Sequence, residues 1–253
     1  MGSFRIYGKI NLGDKTKHHN KHKNKSKNRP GVFLMRALVL DSGTLINLSM
    51  NGLLYILEEL KKNFDGKFLI TNAVKYEVLD RPIKIQRFEL EALRIQRLIN
   101  SKVLEFPESL KINKNEIKNK TQELMNIANQ SIKASGKLIK IVSEAEMSCL
   151  ALSSLLSEKK VENIISIDER TTRILSEKPQ NLEKIMTRKL HKPVKIFPEK
   201  LGAFKQFRFI CSSELAFVAF KKDLLKIKDP KALEAVLYAT KFKGSSISWD
   251  EIK

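Results

Sequence analysis

The sequence predicts an α/β protein with three layers, α/β/α, around a mainly parallel central sheet, followed by a small helical extension. Short apolar segments alternate with amphipathic stretches of helical period, and strands separated by helices pair in parallel through right-handed crossovers. The first apolar segment, residues 37–40 (ALVL), has no polar position, as expected of a strand buried on both faces of a parallel sheet. With 253 residues and 42% hydrophobic content, the chain can form a core of ordinary size.

The elements follow one another in a regular order up to Pro198. After the first strand, residues 45–64 are amphipathic with a break at Asn51-Gly52, and Arg81-Pro82 ends a helix that opens at Thr71. The predicted strands after the first are residues 67–70, 103–106, 163–166 and 194–197. The predicted helices between them are residues 83–102, 113–141 with an interruption at Ser135-Gly136, the buried helix 143–160, and 169–177.

After Pro198 the sequence turns helical. Residues 213–226 and 229–243 are amphipathic, and the second stretch has Asp229 as its cap and Gly244 at its end. We expect these helices to cover the domain or to form a homodimer contact. Half of a helix-turn-helix is the disfavoured alternative, because no second helix is long enough to enter a DNA groove. The predicted divisions are a basic tail (1–34), an α/β domain (35–198) and a helical extension (199–253).

Charge predicts a polyanionic partner. The chain has 48 Lys and Arg against 28 Asp and Glu, a net charge of +20. Residues 1–30 hold nine Lys and Arg and one Asp, which leaves a net charge of +12 for the rest. For this tail three interpretations stay open: a basic arm on nucleic acid, a histidine metal site, or a true start at Met35. The histidines concerned are His18, His19 and His22.

Several classes of protein are disfavoured. No apolar run approaches the ~18–20 residues of a spanning helix, and the charged N-terminus lacks a signal-peptide core, so we expect a soluble cytoplasmic protein without a membrane partner. Cys149 and Cys211 lie far apart in apolar segments, which indicates core residues rather than a disulfide or a zinc site. Neither GxGxxG nor GxxxxGK[ST] occurs, which disfavours a nucleotide-binding protein.

Four acidic residues fall near strand ends. Asp41 follows the first strand directly, Glu77 lies in the helix after the second, and Asp168 follows the fourth; Glu146 lies in the first turn of the buried helix before that strand. At one edge of a parallel sheet they can converge. Clustered carboxylate oxygens favour Mg²⁺ or Mn²⁺ and phosphoryl chemistry on an activated water. The alternative is that Asp41 and Asp168 cap helices, Glu146 completes a capping box, and Glu77 is an exposed helix acid.

Taken together, these segments resemble the PIN domain family of metal-dependent nucleases. The four blocks are residues 41–46 (DSGTLI), 71–78 (TNAVKYEV), 146–152 (EMSCLAL) and 166–168 (SID), and the resemblance covers about residues 36–198. It implies a Mg²⁺- or Mn²⁺-dependent endoribonuclease that cuts RNA in processing or decay, with Asp41, Glu77, Glu146 and Asp168 as catalytic metal ligands. The alternative is a protein that keeps the fold and binds nucleic acid without chemistry.

Two departures from the family pattern bear on the site. The third acid is commonly Asp in the family, whereas Glu146 is the best match here and Glu144 competes with it. The resemblance also implies that Ser42, Thr44 and Ser166 orient the carboxylates or a phosphate, although local turn hydroxyls are an equal alternative. The long helical insertion and the extension exceed the compact core of the family.

The lysine-rich insertion offers a phosphate-facing surface, with solvated helix charge as the alternative. Its candidate lysines are Lys111, Lys114, Lys118, Lys120, Lys133, Lys137 and Lys140. Few aromatic residues are interleaved with them, so we expect contacts to RNA to be dominated by backbone charge and shape rather than by base stacking.

Overall fold

The structure, a computed structural model, describes residues 35–177 and 179–252, so the predicted tail and its three interpretations lie outside the described residues. The strands are β1 (Arg36–Leu40), β2 (Gly66–Leu69), β3 (Ile132–Ala134), β4 (Lys137–Leu138), β5 (Glu162–Ser166), β6 (Val194–Ile196) and β7 (Phe209–Ile210). The helices are α1 (Ser42–Met50), α2 (Tyr55–Asn63), α3 (Asn72–Lys75), α4 (Gln86–Asn100), α5 (Lys114–Gln130), α6 (Glu144–Glu158), α7 (Arg170–Glu177), α8 (Pro179–Leu190), α9 (Ser212–Lys221), α10 (Ala232–Phe242) and α11 (Trp249–Ile252).

The central sheet has four strands in the order β2-β1-β5-β7, and every neighbouring pair is parallel. This confirms the predicted α/β class, in an arrangement compatible with three layers. Strand β1 lies inside the sheet, and its residues Val39 and Leu40 are fully buried, as the uniformly apolar segment predicts. Leu40 is paired with Ser166, so β1 and β5 end side by side. The residues that follow them therefore leave the same edge of the sheet.

Helix α6 confirms the predicted buried helix. Its small and aliphatic side chains are buried on several faces, because it packs against β1, β5 and α5. Ser143 caps its first turn, and its side chain accepts a hydrogen bond from the Glu146 N–H at 3.1 Å. A helix this apolar cannot be left at the surface, so it holds the acid in its first turn against the sheet.

The predicted third strand, residues 103–106, is wrong as an extended strand. Its Glu105 makes a single parallel bridge to Leu69, through the Glu105 N–H to the Phe68 carbonyl and the Ile70 N–H to the Glu105 carbonyl. Pro107 follows almost at once and starts a 3₁₀ turn, which ends the pairing.

The predicted helix over residues 113–141 is too long. Helix α5 ends at Gln130, and the rest forms a hairpin of β3 and β4. The turn residues Ser135 and Gly136 have φ of 47° and 81°, the left-handed conformations of a tight hairpin turn. The Ser-Gly pair that predicts an interruption of the helix is therefore the turn of this hairpin.

The predicted fifth strand forms as β6, but it belongs to a different sheet from the one predicted. β6 pairs antiparallel with β3 in a separate sheet of order β4-β3-β6, rather than joining the parallel sheet. The fourth parallel strand is β7, which lies beyond Pro198 where the sequence predicts only helices. At two residues, β7 is too short to give an alternating or apolar pattern that differs from its surroundings.

Helices α9 and α10 confirm the two amphipathic stretches predicted after Pro198, and both are shorter than predicted. Asp229 accepts a hydrogen bond from the Lys231 N–H at 2.7 Å just before α10, and Gly244 follows the helix with a φ of 106°. Among the described residues, none of the helices has the length and apolar character needed to cross a bilayer.

Candidate active site

Asp41 lies at the junction between β1 and α1. Its N–H donates to the Ser166 carbonyl at 3.0 Å, which extends the pairing of β1 with β5 by one residue. Its Oδ2 accepts from the Gly43 N–H at 3.1 Å and so caps α1, as the alternative for this residue predicts. Its Oδ1 is buried and has no hydrogen-bond partner in the described part of the chain. The cap of α1 therefore accounts for Oδ2 of this carboxylate but not for Oδ1.

The surroundings of Asp41 disfavour its charge. The pKa of Asp41 is raised to about 7, mainly by burial and then by the negative charge of Glu146, with a smaller contribution from Glu77. The N–H groups of Gly43 and Ser42 act in the opposite direction. Glu146 and Glu77 thus each lie close enough to repel the charge of Asp41, and a cation beside Asp41 would relieve both this repulsion and the lost hydration.

Glu77 approaches Asp41 from the neighbouring strand connection. It lies in a single π-helical segment, Tyr76–Asp80, closed by the Arg81 N–H donating to the Tyr76 carbonyl. The Ser42 hydroxyl donates to Glu77 Oε2 at 2.6 Å, which ties this segment to the start of α1. Such wide turns are frequent at functional sites, because they redirect a side chain without ending the helix.

Glu146 is half-buried at the start of α6, whereas its competitor Glu144 is exposed. Its Oε2 accepts from the Thr172 hydroxyl at 2.5 Å and, at the longer distance of 3.5 Å, from the Ser143 N–H. Burial is the largest influence on Glu146 and raises its pKa, although these hydrogen bonds act in the opposite direction. The capping box predicted from the sequence is present. Its acid, Glu146, is also the acid that raises the pKa of Asp41 the most.

Asp168 follows β5 but does not cap α7. Its Oδ1 accepts from the Ser212 N–H at 2.7 Å, and its Oδ2 accepts from the Ser212 hydroxyl at 2.7 Å and from Asn47 Nδ2 at 2.8 Å. Burial raises the pKa of Asp168, while the bonds from Ser212 and Asn47 act to lower it. The carboxylate therefore fastens the first turn of α9, a helix of the extension, to the edge of the parallel sheet.

Gly43 lies between the two aspartates. A Cβ atom built on it would lie 3.3 Å from Asp41 Oδ2 and 3.7 Å from Asp168 Cβ. The hydroxyls of Thr44 and Ser166 are 3.1 Å apart in the buried layer beneath. All the supporting hydroxyls predicted from the sequence thus lie at this edge, and Thr44 and Ser166 bond to each other rather than to a carboxylate.

Sequence reasoning missed three residues that hold the acids in place: Asn47, Thr172 and Ser212. Asn47 lies one and a half helical turns after Asp41 on α1 and is 1% exposed, and an Asn buried on an apolar face is a signal that could have been noticed. Ser212 and Thr172 gave no such signal, because nothing local indicates which distant carboxylate they meet. Among the described residues, the side chains of His, Cys, Asp and Glu form no group of three or more arranged to hold a metal ion.

The fold and this edge define an α/β protein with two buried aspartates beyond the ends of adjacent parallel strands, one of them repelled by two further acids. Comparisons with known protein families, with curated proteins and with solved structures found no significant match to the chain. The two cysteines are free and buried, and the Cys149 thiol points to the Leu40 carbonyl at 3.8 Å, within the core.

Proposed function

We propose that the protein is a metal-dependent endoribonuclease of the PIN type, with Asp41, Glu77, Glu146 and Asp168 around the metal. The observation that carries the proposal is Asp41 Oδ1, a buried carboxylate oxygen without a hydrogen-bond partner in the described part of the chain. Buried polar atoms are nearly always paired, so this oxygen indicates a missing partner. Because Glu146 and Glu77 repel the charge of Asp41, a cation is the partner that would stabilise this carboxylate most.

The donor set fits a hard divalent cation such as Mg²⁺ or Mn²⁺. These ions take carboxylate oxygens and keep several waters, so they do not need a closed protein cage. When bound, such an ion supplies an activated water and stabilises the charge that develops on a phosphodiester. Asp41, Glu77 and Glu146 would hold it. Asp168 accepts three hydrogen bonds, and since a carboxylate has about four lone-pair sites, one remains for a ligand.

The chain's own side chains fix the geometry of these acids. Ser42 holds Glu77, and Thr172 holds Glu146, each through one hydroxyl. Such outer partners set the orientation of the ligand atoms and favour the ionised form of the carboxylates, which is the form that binds a cation. Because β1 and β5 end side by side at this edge, a substrate would approach the acids from the loops beyond the two strands.

A cluster of lysines in the second sheet and in the 3₁₀ helix after β6 supports an RNA backbone as the substrate. Lys133, Lys195 and Lys200 place their Nζ atoms 5.5–5.8 Å from the centre of the Phe197 ring. Lys133 and Lys195 are direct cross-strand partners, an arrangement that costs free energy because like charges face each other. None of the three forms an ion pair with an acid whose side chain the structure describes. A phosphate backbone is the kind of partner that would neutralise them.

The lysines of α5 differ from this cluster. Lys114 pairs with Glu108 at 3.5 Å and Lys120 with Glu123 at 3.0 Å. Part of the positive charge predicted for the insertion is therefore neutralised within the chain. The candidates for phosphate contact shift toward the hairpin and β6.

The test is cleavage of single-stranded RNA with Mn²⁺ by the wild type and by Asp41→Asn. We expect Asp41→Asn to lose more than ~100-fold in rate, since even groups that only support a metal ligand cost about 10- to 100-fold. Asp223→Asn, an exposed acid paired with Lys228, is the matched control and should retain full activity. Equal rates for Asp41→Asn and the wild type would refute the proposal.

A nucleic-acid-binding protein without chemistry is the second candidate. It is favoured by Asp168 and Glu146, whose oxygens already accept hydrogen bonds within the chain. Titration with Mn²⁺ separates the two candidates. Saturable binding that Asp41→Asn abolishes supports the nuclease, and a complete lack of saturable binding supports the second candidate.

A further inference from the structure

Three aromatic side chains near the end of the chain form an exposed group, which we call the aromatic stack: Tyr238, Phe242 and Trp249. The centre of the Trp249 ring lies 5.6 Å from that of Tyr238 and 5.3 Å from that of Phe242. Phe242 is 76% exposed and Trp249 is 44% exposed. The sequence predicts no stacking surface because aromatic residues are few and scattered, yet the turn between α10 and α11 brings these three together.

One lysine contacts the aromatic stack, and a second follows it in the sequence. Lys241 Nζ lies 5.5 Å from the centre of the Trp249 ring, and it also donates to the Ile247 carbonyl, which fixes it beside the ring. Lys243 follows Phe242 directly and is exposed. An exposed ring flanked by cations can accept a flat base on its face and a phosphate on the lysines.

The aromatic stack is attached to the acidic edge of the sheet. Asn47 Nδ2 donates to the Thr240 carbonyl at 2.9 Å, and the same nitrogen donates to Asp168 Oδ2 at 2.8 Å. Phe242 is two residues after Thr240, a rise of about 3 Å along the helix. Asn47 thus ties the backbone near the end of α10 to the Asp168 carboxylate. Phe242 is rotated by about 200° from the buried Thr240, so its ring lies on the outer face of the same helix end.

We propose that the aromatic stack binds an unpaired base of a single-stranded RNA whose backbone reaches the carboxylates. This inference rests on the proposed function and deepens it, since it names the side chains that hold a base of the substrate. A ring 76% exposed gains apolar contact from a stacked base, and every base offers such a face. Bases in a duplex are already stacked on one another, so the aromatic stack selects single strands without reading their sequence.

The first experiment uses the fluorescence of Trp249, the single tryptophan of the chain. The full chain is titrated in EDTA, which prevents cleavage, with three probes: a single-stranded oligouridylate, an RNA duplex of the same length, and inorganic polyphosphate. We expect saturable quenching by the single strand and little quenching by the duplex. Polyphosphate should bind through the lysines without quenching. Quenching of equal depth by polyphosphate would overturn the proposal.

The second experiment measures affinity by a method that does not depend on Trp249, such as anisotropy of a labelled oligouridylate. Phe242→Ala should weaken binding of the single strand by about 5- to 100-fold, the range for loss of one base–aromatic contact. Phe242→Tyr should retain binding, and polyphosphate affinity should not change. Phe88→Ala is the matched control, because Phe88 is 40% exposed with Arg87 Cζ 4.5 Å from its ring centre.

Each remaining outcome decides against the aromatic stack in a recognisable way. Unchanged RNA affinity in Phe242→Ala overturns it, as does an equal loss in Phe88→Ala. If Phe242→Ala instead lowers the mass of the protein in sedimentation, the occupant is a second copy of the chain and the proposal is wrong. None of these results refutes the nuclease, which fails separately if Asp41→Asn cleaves RNA as fast as the wild type.

Discussion

Asp41 and Asp168 follow adjacent parallel strands at the same edge, yet their surroundings are opposite. Both are buried, at 2% and 5% exposure, and burial raises the pKa of both. Asp168 accepts three hydrogen bonds from Ser212 and Asn47, whereas Asp41 Oδ1 accepts none in the described residues. An aspartate just beyond the end of a strand thus joins two parts of the fold in one case and lacks a hydrogen-bond partner for one oxygen in the other.

This difference indicates that Asp168 stabilises the fold, whereas Asp41 lowers its stability. A buried carboxylate repays its lost hydration only through hydrogen bonds or opposite charge, and Asp168 has the hydrogen bonds. Asp41 has one cap bond and two acidic neighbours that raise its pKa further. Costs of this kind cluster at functional sites, where a ligand repays them. Substitution of the two residues should therefore change stability and activity in different proportions.

The largest expected effect on stability is that of Asp168→Ala. It leaves the Ser212 N–H, the Ser212 hydroxyl and one N–H of Asn47 without their acceptor, and unmade buried hydrogen bonds cost ~1–3 kcal/mol each. After partial relaxation, we expect the free energy of unfolding in urea to fall by about 3–5 kcal/mol. Asp41→Asn, which removes a disfavoured charge and keeps an acceptor for the Gly43 N–H, should be no less stable than the wild type. An equal loss in both variants would remove the distinction between the two aspartates.

The sequence was sufficient to predict where the acids lie, but not which side chains form hydrogen bonds with them. Asp41 and Asp168 could be placed at one edge because parallel strands end on the same side, a rule that needs only the order of elements. That Ser212 would hold Asp168 depends on β7, a two-residue strand that carries no pattern of its own. Tertiary contacts between segments 44 residues apart decide this bond, and no local preference encodes them.

The same limit explains the error over residues 113–141. Residues 131–141 contain Lys, Ala and Leu, which all favour a helix, so the local sequence continues the helical pattern of α5 into the hairpin. The pairing of β3 with β6 stops the helix at Gln130, and β6 lies some 60 residues later in the chain. Ser135-Gly136 was the one local sign of the turn.

The next effect is a pH dependence of stability in the metal-free protein. The pKa of Asp41 is about 7 in the folded state and 3.8 in a free side chain, so between these values the folded state binds the additional proton. This contribution to stability is complete below about pH 4 and is lost as the pH rises through 7. Comparing about pH 5 with about pH 7, the wild type should lose roughly 2–3 kcal/mol more than Asp41→Asn in EDTA.

Denaturation in urea at both pH values, with Asp223→Asn as control, measures this difference. Glu146 and Asp168 also have raised pKa values and act in the same direction. Asp41→Asn removes the repulsion between Asp41 and Glu146, so the difference between the two profiles belongs to this pair of acids. Mn²⁺ should reverse the trend, because a cation binds only the ionised carboxyl. Parallel pH profiles for the wild type and Asp41→Asn would contradict the raised pKa of this residue.

The smallest effect tests whether Glu146 serves both α6 and the site. Ser143→Ala removes the cap of α6 and should lower the free energy of unfolding by ~1 kcal/mol. Asn113→Ala removes the cap of α5, where the Asn113 side chain accepts from the Asn115 N–H at 2.8 Å, and should cost a similar amount. Only Ser143→Ala loosens the turn that positions Glu146, so only this variant should lose Mn²⁺ affinity, by up to ~10-fold in a metal titration. Equal Mn²⁺ affinity in the two variants would show that Glu146 acts as a cap alone.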